Sequence, residues 1–98
     1  MVKEVKSIYN HWLPVLLNAT GVTIGHIIYY RTSKEQVPTW LVRHEMAHVE
    51  QYRQYGTVLF LILYFYEYLQ NRKKGMNHND AYMNISFEIE ARKAERMG

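Results

Sequence analysis

Residues 38–56 read PTWLVRHEMAHVEQYRQYG. Pro38 suits the first turn of a helix, Gly56 supplies a stop, and no breaker falls between them. The spacing predicts a helix from Pro38 to about Tyr55. Within it, His44-Glu45-Met46-Ala47-His48 has the form H-E-x-x-H. Side chains four residues apart share one helix face, a turn from each other. Two imidazoles so placed reach one ion with metal–nitrogen bonds of about 2.0–2.1 Å. Glu45 leans to the side of the pair, where it meets a water activated at the ion without being a ligand itself.

Chance produces this pattern about 2 times in 100 in a chain with five His and eight Glu, so its context has to carry weight. Leu41, Val42, Met46, Val49 and Tyr52 spread around much of the helix. Only a stripe near Arg43, Glu50 and Gln54 reads as solvated. A helix covered on most sides does not accept His, Glu and His together without a compensating partner, and a cation is one.

Outward from this helix the chain divides at its glycines and polar clusters. Val2, Val5, Ile8, Tyr9, Trp12 and Leu13 fall on one stripe at helical spacing, which predicts an N-terminal helix over residues 2–13, broken or restarted at Pro14. Val22–Ile24 and His26–Arg31 are β-branched and aromatic, punctuated by Gly21 and Gly25, and read as two short strands. Downstream, Thr57 to about Lys73 reads as a second helix. Its continuous apolar run from Val58 to Tyr66 is too short to span a bilayer, which takes about 20 residues, and so reads as a buried core helix. Met76–Asp80 reads as a polar loop, and a last helix capped by Asn84 or Ser86 reaches Glu95. The expected fold is α+β and mostly helical: an N-terminal helix, a small upper β-sheet, the H-E-x-x-H helix, a buried second helix and a C-terminal glutamate helix, in one domain spanning residues 1–98.

A zinc centre that does chemistry takes three protein ligands and keeps a position open. With no cysteine in the chain, the third ligand comes from His11, His26, His78, Glu67, Asp80, Glu88, Glu90 or Glu95. Phe87, Ala91, Ala94 and Met97 lie around Glu90 at helical spacing, whereas Glu88 shares a face with Arg92 and Glu95 and can pair with Arg92. The two glutamates point about 200° apart, so only one serves, and the apolar face nominates Glu90. The expected site is one catalytic Zn2+ on His44, His48 and Glu90, with Glu45 as general base. His78 and Tyr82 precede the last helix and are candidate donors to the developing oxyanion. The His26–Arg31 strand is a candidate edge for pairing with an extended substrate.

Composition narrows the remaining classes. Hydrophobic residues make up 48% of the 98, enough for a core in so short a chain. The formal charge of +3 is spread over a mixed-sign surface, and Arg72-Lys73-Lys74 is a solvated helix end, so no nucleic-acid partner is expected. No secretory leader is evident, which makes a cytoplasmic location the default expectation.

The order of strands, H-E-x-x-H helix, second helix and glutamate helix resembles the gluzincin metallopeptidases. It resembles most their smallest soluble members, the minigluzincins of archaea. The residues that carry the resemblance are His44, Glu45 and His48, the following Val49-Glu50-Gln51-Tyr52-Arg53, and Asn84-Ile85-Ser86-Phe87-Glu88-Ile89-Glu90-Ala91. It implies a minimal zincin-like fold and endopeptidase activity on peptides or unfolded proteins. It further implies latency, with the cleft occluded by a terminal segment or by a neighbouring chain in a homodimer. Larger gluzincins place Asn just before the ligand Glu, where this chain has Ile89. The competing expectation is a regulatory or interaction module with a closed, structural zinc site, in which Glu45 has no task.

Overall fold

In a computed structural model, residues 4–97 are described. The chain runs β1 (Lys6–Ile8), α1 (Trp12–Leu16), β2 (Gly21–Ile24), β3 (Ile27–Tyr30), a 3-10 turn at Lys34–Gln36, α2 (Thr39–Tyr55), α3 (Thr57–Lys73), α4 (His78–Met83) and α5 (Ser86–Ala94). The α+β, mostly helical architecture is the one the sequence implies. Its core lies on both sides of α2, which packs against β2, α3 and α5. Leu41 joins Ile28 and Tyr30 under the sheet, and Tyr52 joins Phe60, Ile85 and Phe87 among the helices.

The N-terminal segment departs from its periodicity. Instead of a helix over 2–13, Lys6–Ile8 pairs in parallel with Ile27–Tyr29, and Val2 lies outside the described residues. Strand β3 would otherwise present an open ladder, although residues 5–9, Val-Lys-Ser-Ile-Tyr, follow helical spacing and do not alternate. Backbone pairing overrides the spacing: Lys6 N–H donates to His26 O at 2.9 Å, and Tyr9 stacks on Tyr30 with ring centroids 5.3 Å apart. The helix starts only at Trp12, where His11 Nδ1 accepts from Leu13 N–H, and Pro14 is buried inside it.

Strand order is β1-β3-β2. A two-residue turn joins the antiparallel pair β2/β3, with Gly25 supplying the left-handed φ of 64°. Strand β3 is therefore central, and the expected substrate edge at His26–Arg31 is corrected: both its sides are already paired. The open edge beside the helices is β2.

Two further differences bear on the site. Residues 78–83 form α4 rather than a loop, capped by Asn77 Oδ1 accepting from Asp80 N–H at 2.8 Å. Helix α5 is capped by neither Asn84 nor Ser86. Glu67 of α3 reaches across and accepts from both Ser86 N–H and Ser86 Oγ–H at 2.8 Å, a carboxylate at a helix N-terminus. Helix α3 itself is not a buried helix. Only Phe60 and Asn71 are fully covered, and most of its apolar side chains face outward. No helix among the described residues is long and apolar enough to cross a membrane.

Candidate metal centre

His44 and His48 project from the middle of α2 with ring centroids 5.0 Å apart, as their one-turn spacing requires. Helix α5, pinned at its start by Glu67, brings Glu88 against them. Glu88 Oε1 lies 3.1 Å from His44 Nε2 and Glu88 Oε2 lies 3.1 Å from His48 Nε2. The three side chains each offer a ligand atom within 4.8 Å of the others, a group able to hold a metal ion.

Glu90, the expected third ligand, is not there. It is exposed and takes a hydrogen bond from Gln51 Nε2 at 3.2 Å. Glu88 does not pair with Arg92 either; Arg92 donates to Met83 O at 2.6 Å. The reason is the rotation of α5. Taking about 100° per residue, Phe87, Ala91 and Ala94 define an inward face that Glu88 and Glu90 flank on opposite margins. The helix docks with the Glu88 margin toward α2, leaving Glu88 3% exposed.

The outer nitrogens of the imidazoles are also held, and their partners fix the tautomers. Glu95 Oε2 lies 2.7 Å from His44 Nδ1. A carboxylate only accepts, so Nδ1 carries the hydrogen. For His48 the partner is Gln51 Oε1 at 2.8 Å. The amide of Gln51 is oriented by its other end, since Nε2 donates to Phe87 O at 3.0 Å and to Glu90. With Nδ1–H so bonded, each ring in its neutral form turns an Nε2 lone pair to the Glu88 carboxylate. Acceptors facing acceptors in a buried site require a cation between them, a proton or a metal. Gln51→Leu removes the acceptor for His48 Nδ1–H and the donor to Phe87 O and Glu90. We expect it to weaken metal affinity 10–100-fold, the range for outer-shell partners, read by competition with a chromophoric chelator.

Without metal, protons fill the role. Burial works against the imidazolium of His44, but hydrogen bonds to Glu88 and Glu95 outweigh it and raise its pKa. Burial also opposes His48 and is likewise outweighed by Glu88. Burial raises Glu88, yet its hydrogen bonds to both histidines prevail and hold it far below the usual carboxylate range. A raised histidine stabilises the fold fully below its ordinary 6.5 and loses that contribution as pH climbs through the folded value. The depressed Glu88 contributes fully above its ordinary 4.5 and loses it as pH falls. The metal-free protein should therefore melt highest between those two values. Metal affinity should instead rise with pH across the histidine titration, by about tenfold per pH unit for each proton displaced. Thermal melts with and without metal, across pH, check both trends.

Glu45 stands beside this group but outside it. It is 4% exposed, and Thr23 Oγ–H donates to its Oε1 at 2.7 Å. Burial is the main cause raising its pKa, offset in part by Thr23 and the histidines. The Thr23 carbonyl is anchored in turn by the Tyr52 hydroxyl at 2.9 Å, whose own pKa burial and then Glu45 push up to about 12, so it stays a donor. A Cβ on Gly21 would sit 3.4 Å from the Glu45 carboxylate, so the strand runs in close contact with that side chain. Arg31 N–H bonds Thr20 O at 3.1 Å. By the alternation of an antiparallel ladder, Gly21 and Thr23 then turn their backbone groups away from β3.

The group opens onto a cleft of about 730 Å³. Its walls include β2, Trp40, Leu61 and Tyr64. Tyr82 and His78 both line it, and His78 Nδ1 is engaged with the Tyr68 hydroxyl at 2.9 Å. Sequence reasoning missed Tyr64, whose hydroxyl donates to Glu88 Oε2 at 2.6 Å. Burial and then the Glu88 charge raise its pKa, keeping the proton on. Its position one turn after Phe60 on an apolar helix reads as core and gives no signal of this role.

Compared with protein-family models, with curated proteins and with solved structures, the chain matches none.

Proposed function

We propose that this chain is a zinc-dependent peptidase of gluzincin type, with His44, His48 and Glu88 holding the ion and Glu45 as general base. The observation that carries the reading is the convergence of two imidazole Nε2 atoms and a buried carboxylate beside a second buried carboxylate that is not part of the set. Two imidazoles and one carboxylate suit zinc and leave a position free. When bound, the ion supplies Lewis acidity toward water and toward a carbonyl oxygen.

The chain's own residues do the rest. Edge strand β2 offers outward backbone groups at Gly21, so an extended peptide pairs along it and its carbonyl comes to lie over the histidines. Glu45 takes a proton from the attacking water and delivers it to the leaving amine. Thr23 orients the carboxylate for this transfer. Tyr82, at the cleft wall, is the side chain we assign to the oxyanion. His78 is the weaker candidate because Tyr68 already engages it.

Equilibrium dialysis against Zn2+ followed by elemental analysis tests the first half of this reading, and cleavage of a denatured protein tests the second. One equivalent of zinc and metal-dependent cleavage are expected. A chain that takes up no zinc at micromolar concentration and neutral pH sinks the reading.

A further inference from the structure

Helix α3 leaves a second feature that the metal centre does not use. Val58, Ile62, Phe65 and Leu69 are 49–72% exposed and follow one another at spacings of four, three and four. That is the a/d spacing of a coiled-coil seam, held over less than two heptads. Leu61 and Tyr66 flank it, 44% and 59% exposed, and Leu59 widens it. These seven side chains leave roughly 700 Å² of apolar surface, above the roughly 300–600 Å² of the largest patch on a typical monomer. The figure approaches the ~800 Å² per partner buried in a standard stable interface. No charged residue interrupts the face before Arg72, because Glu67 points inward to cap α5.

We infer that this face binds a second copy of the chain, α3 against α3, antiparallel about a two-fold axis midway along the helix. The spacing itself argues for this partner. A two-fold interface must be complementary to its own reverse. Read from its centre, between Leu63 and Tyr64, the seam sets Ile62 opposite the second copy's Phe65 and Val58 opposite its Leu69. The flanks match as well, Leu61 meeting Tyr66. An unrelated partner imposes no such symmetry. A lipid surface would call for Lys or Arg along the polar side of the helix, whereas that side of α3 packs on α2 and α4. Since Leu61 also lines the cleft, the second copy lies at the cleft mouth. The inference is independent of the metal centre, and its test uses no activity.

Sedimentation velocity on the full chain should give twice the 11.8 kDa chain mass. Ile62→Glu and Phe65→Glu should each shift it to monomer with helical circular dichroism retained. Cysteine placement then fixes the orientation in an otherwise cysteine-free chain. Mixed Val58→Cys and Leu69→Cys proteins should form the mixed disulfide on mild oxidation. Val58→Cys alone should not, since antiparallel pairing separates its two copies by about 16 Å along the axis. A monomer at all concentrations overturns the inference, as does a monomer that floats with phosphatidylcholine–phosphatidylglycerol vesicles. So do a dimer indifferent to both glutamates and rapid cross-linking of Val58→Cys to itself.

Discussion

Glu88→Ala should lower metal affinity by more than about a hundredfold, exceeding what outer-shell partners are worth, while Glu90→Ala should lower it by less than about tenfold. The asymmetry follows from position. Glu88 faces both Nε2 atoms at 3.1 Å and is 3% exposed. Glu90 reaches the centre only through the Gln51 amide. Glu88→Ala should also destabilise the metal-free protein. Removing one member of a buried ion pair costs about 3–5 kcal/mol, because the remaining charge is left without a partner, and Tyr64 loses its acceptor too. Glu88→Gln separates these effects: it keeps an oxygen for Tyr64 while removing the charge, so it should recover part of the stability and little of the affinity. Isothermal titration with Zn2+ and thermal melts of the four proteins read both quantities. Loss of zinc on Glu90→Ala with retention on Glu88→Ala would overturn the assignment of the third ligand.

That pair of glutamates shows where sequence reading stops. The histidine pair was legible because a one-turn spacing on a single helix is local geometry. So were the two short strands on either side of Gly25 and the helix boundaries at Gly56. The third ligand depends on how α5 is rotated against α2, and the inward residues Phe87, Ala91 and Ala94 are flanked equally by both glutamates. The rotation is set at a distance, by Glu67 on α3 holding Ser86 and by Ala91 packing with no exposed surface. Neither contact leaves a trace in the spacing. The N-terminal strand failed for a similar reason. Residues 5–9 follow helical spacing, and the free edge of β3, a tertiary feature, overrides it. Apolar character in α3 was equally visible, but whether an apolar helix is covered depends on how many neighbours the fold provides, and here the fold covers one side.

Glu45→Gln should leave zinc bound and reduce peptide cleavage by about 10²–10⁴-fold, the range for a positioned general base. The substitution is close to isosteric, and its amide oxygen can still accept from the Thr23 hydroxyl that now lies 2.7 Å from Oε1. Packing against Gly21 is therefore preserved, and what disappears is the capacity to hold a proton. Burial raises the Glu45 pKa, which moves this carboxyl toward the operating pH, where accepting and returning a proton are both accessible. The wild-type rate should fall on the acid side as Glu45 protonates, and that limb should vanish from the residual activity of Glu45→Gln. Thr23→Val should give an intermediate loss with zinc intact, since it frees the carboxylate to rotate and leaves Oε1 without its donor. The structural-site alternative has no place for these results: a closed centre predicts that Glu45→Gln alters neither zinc content nor any cleavage. Zinc analysis beside initial rates across pH distinguishes the two, and cleavage by Glu45→Gln at the wild-type rate removes Glu45 from the chemistry.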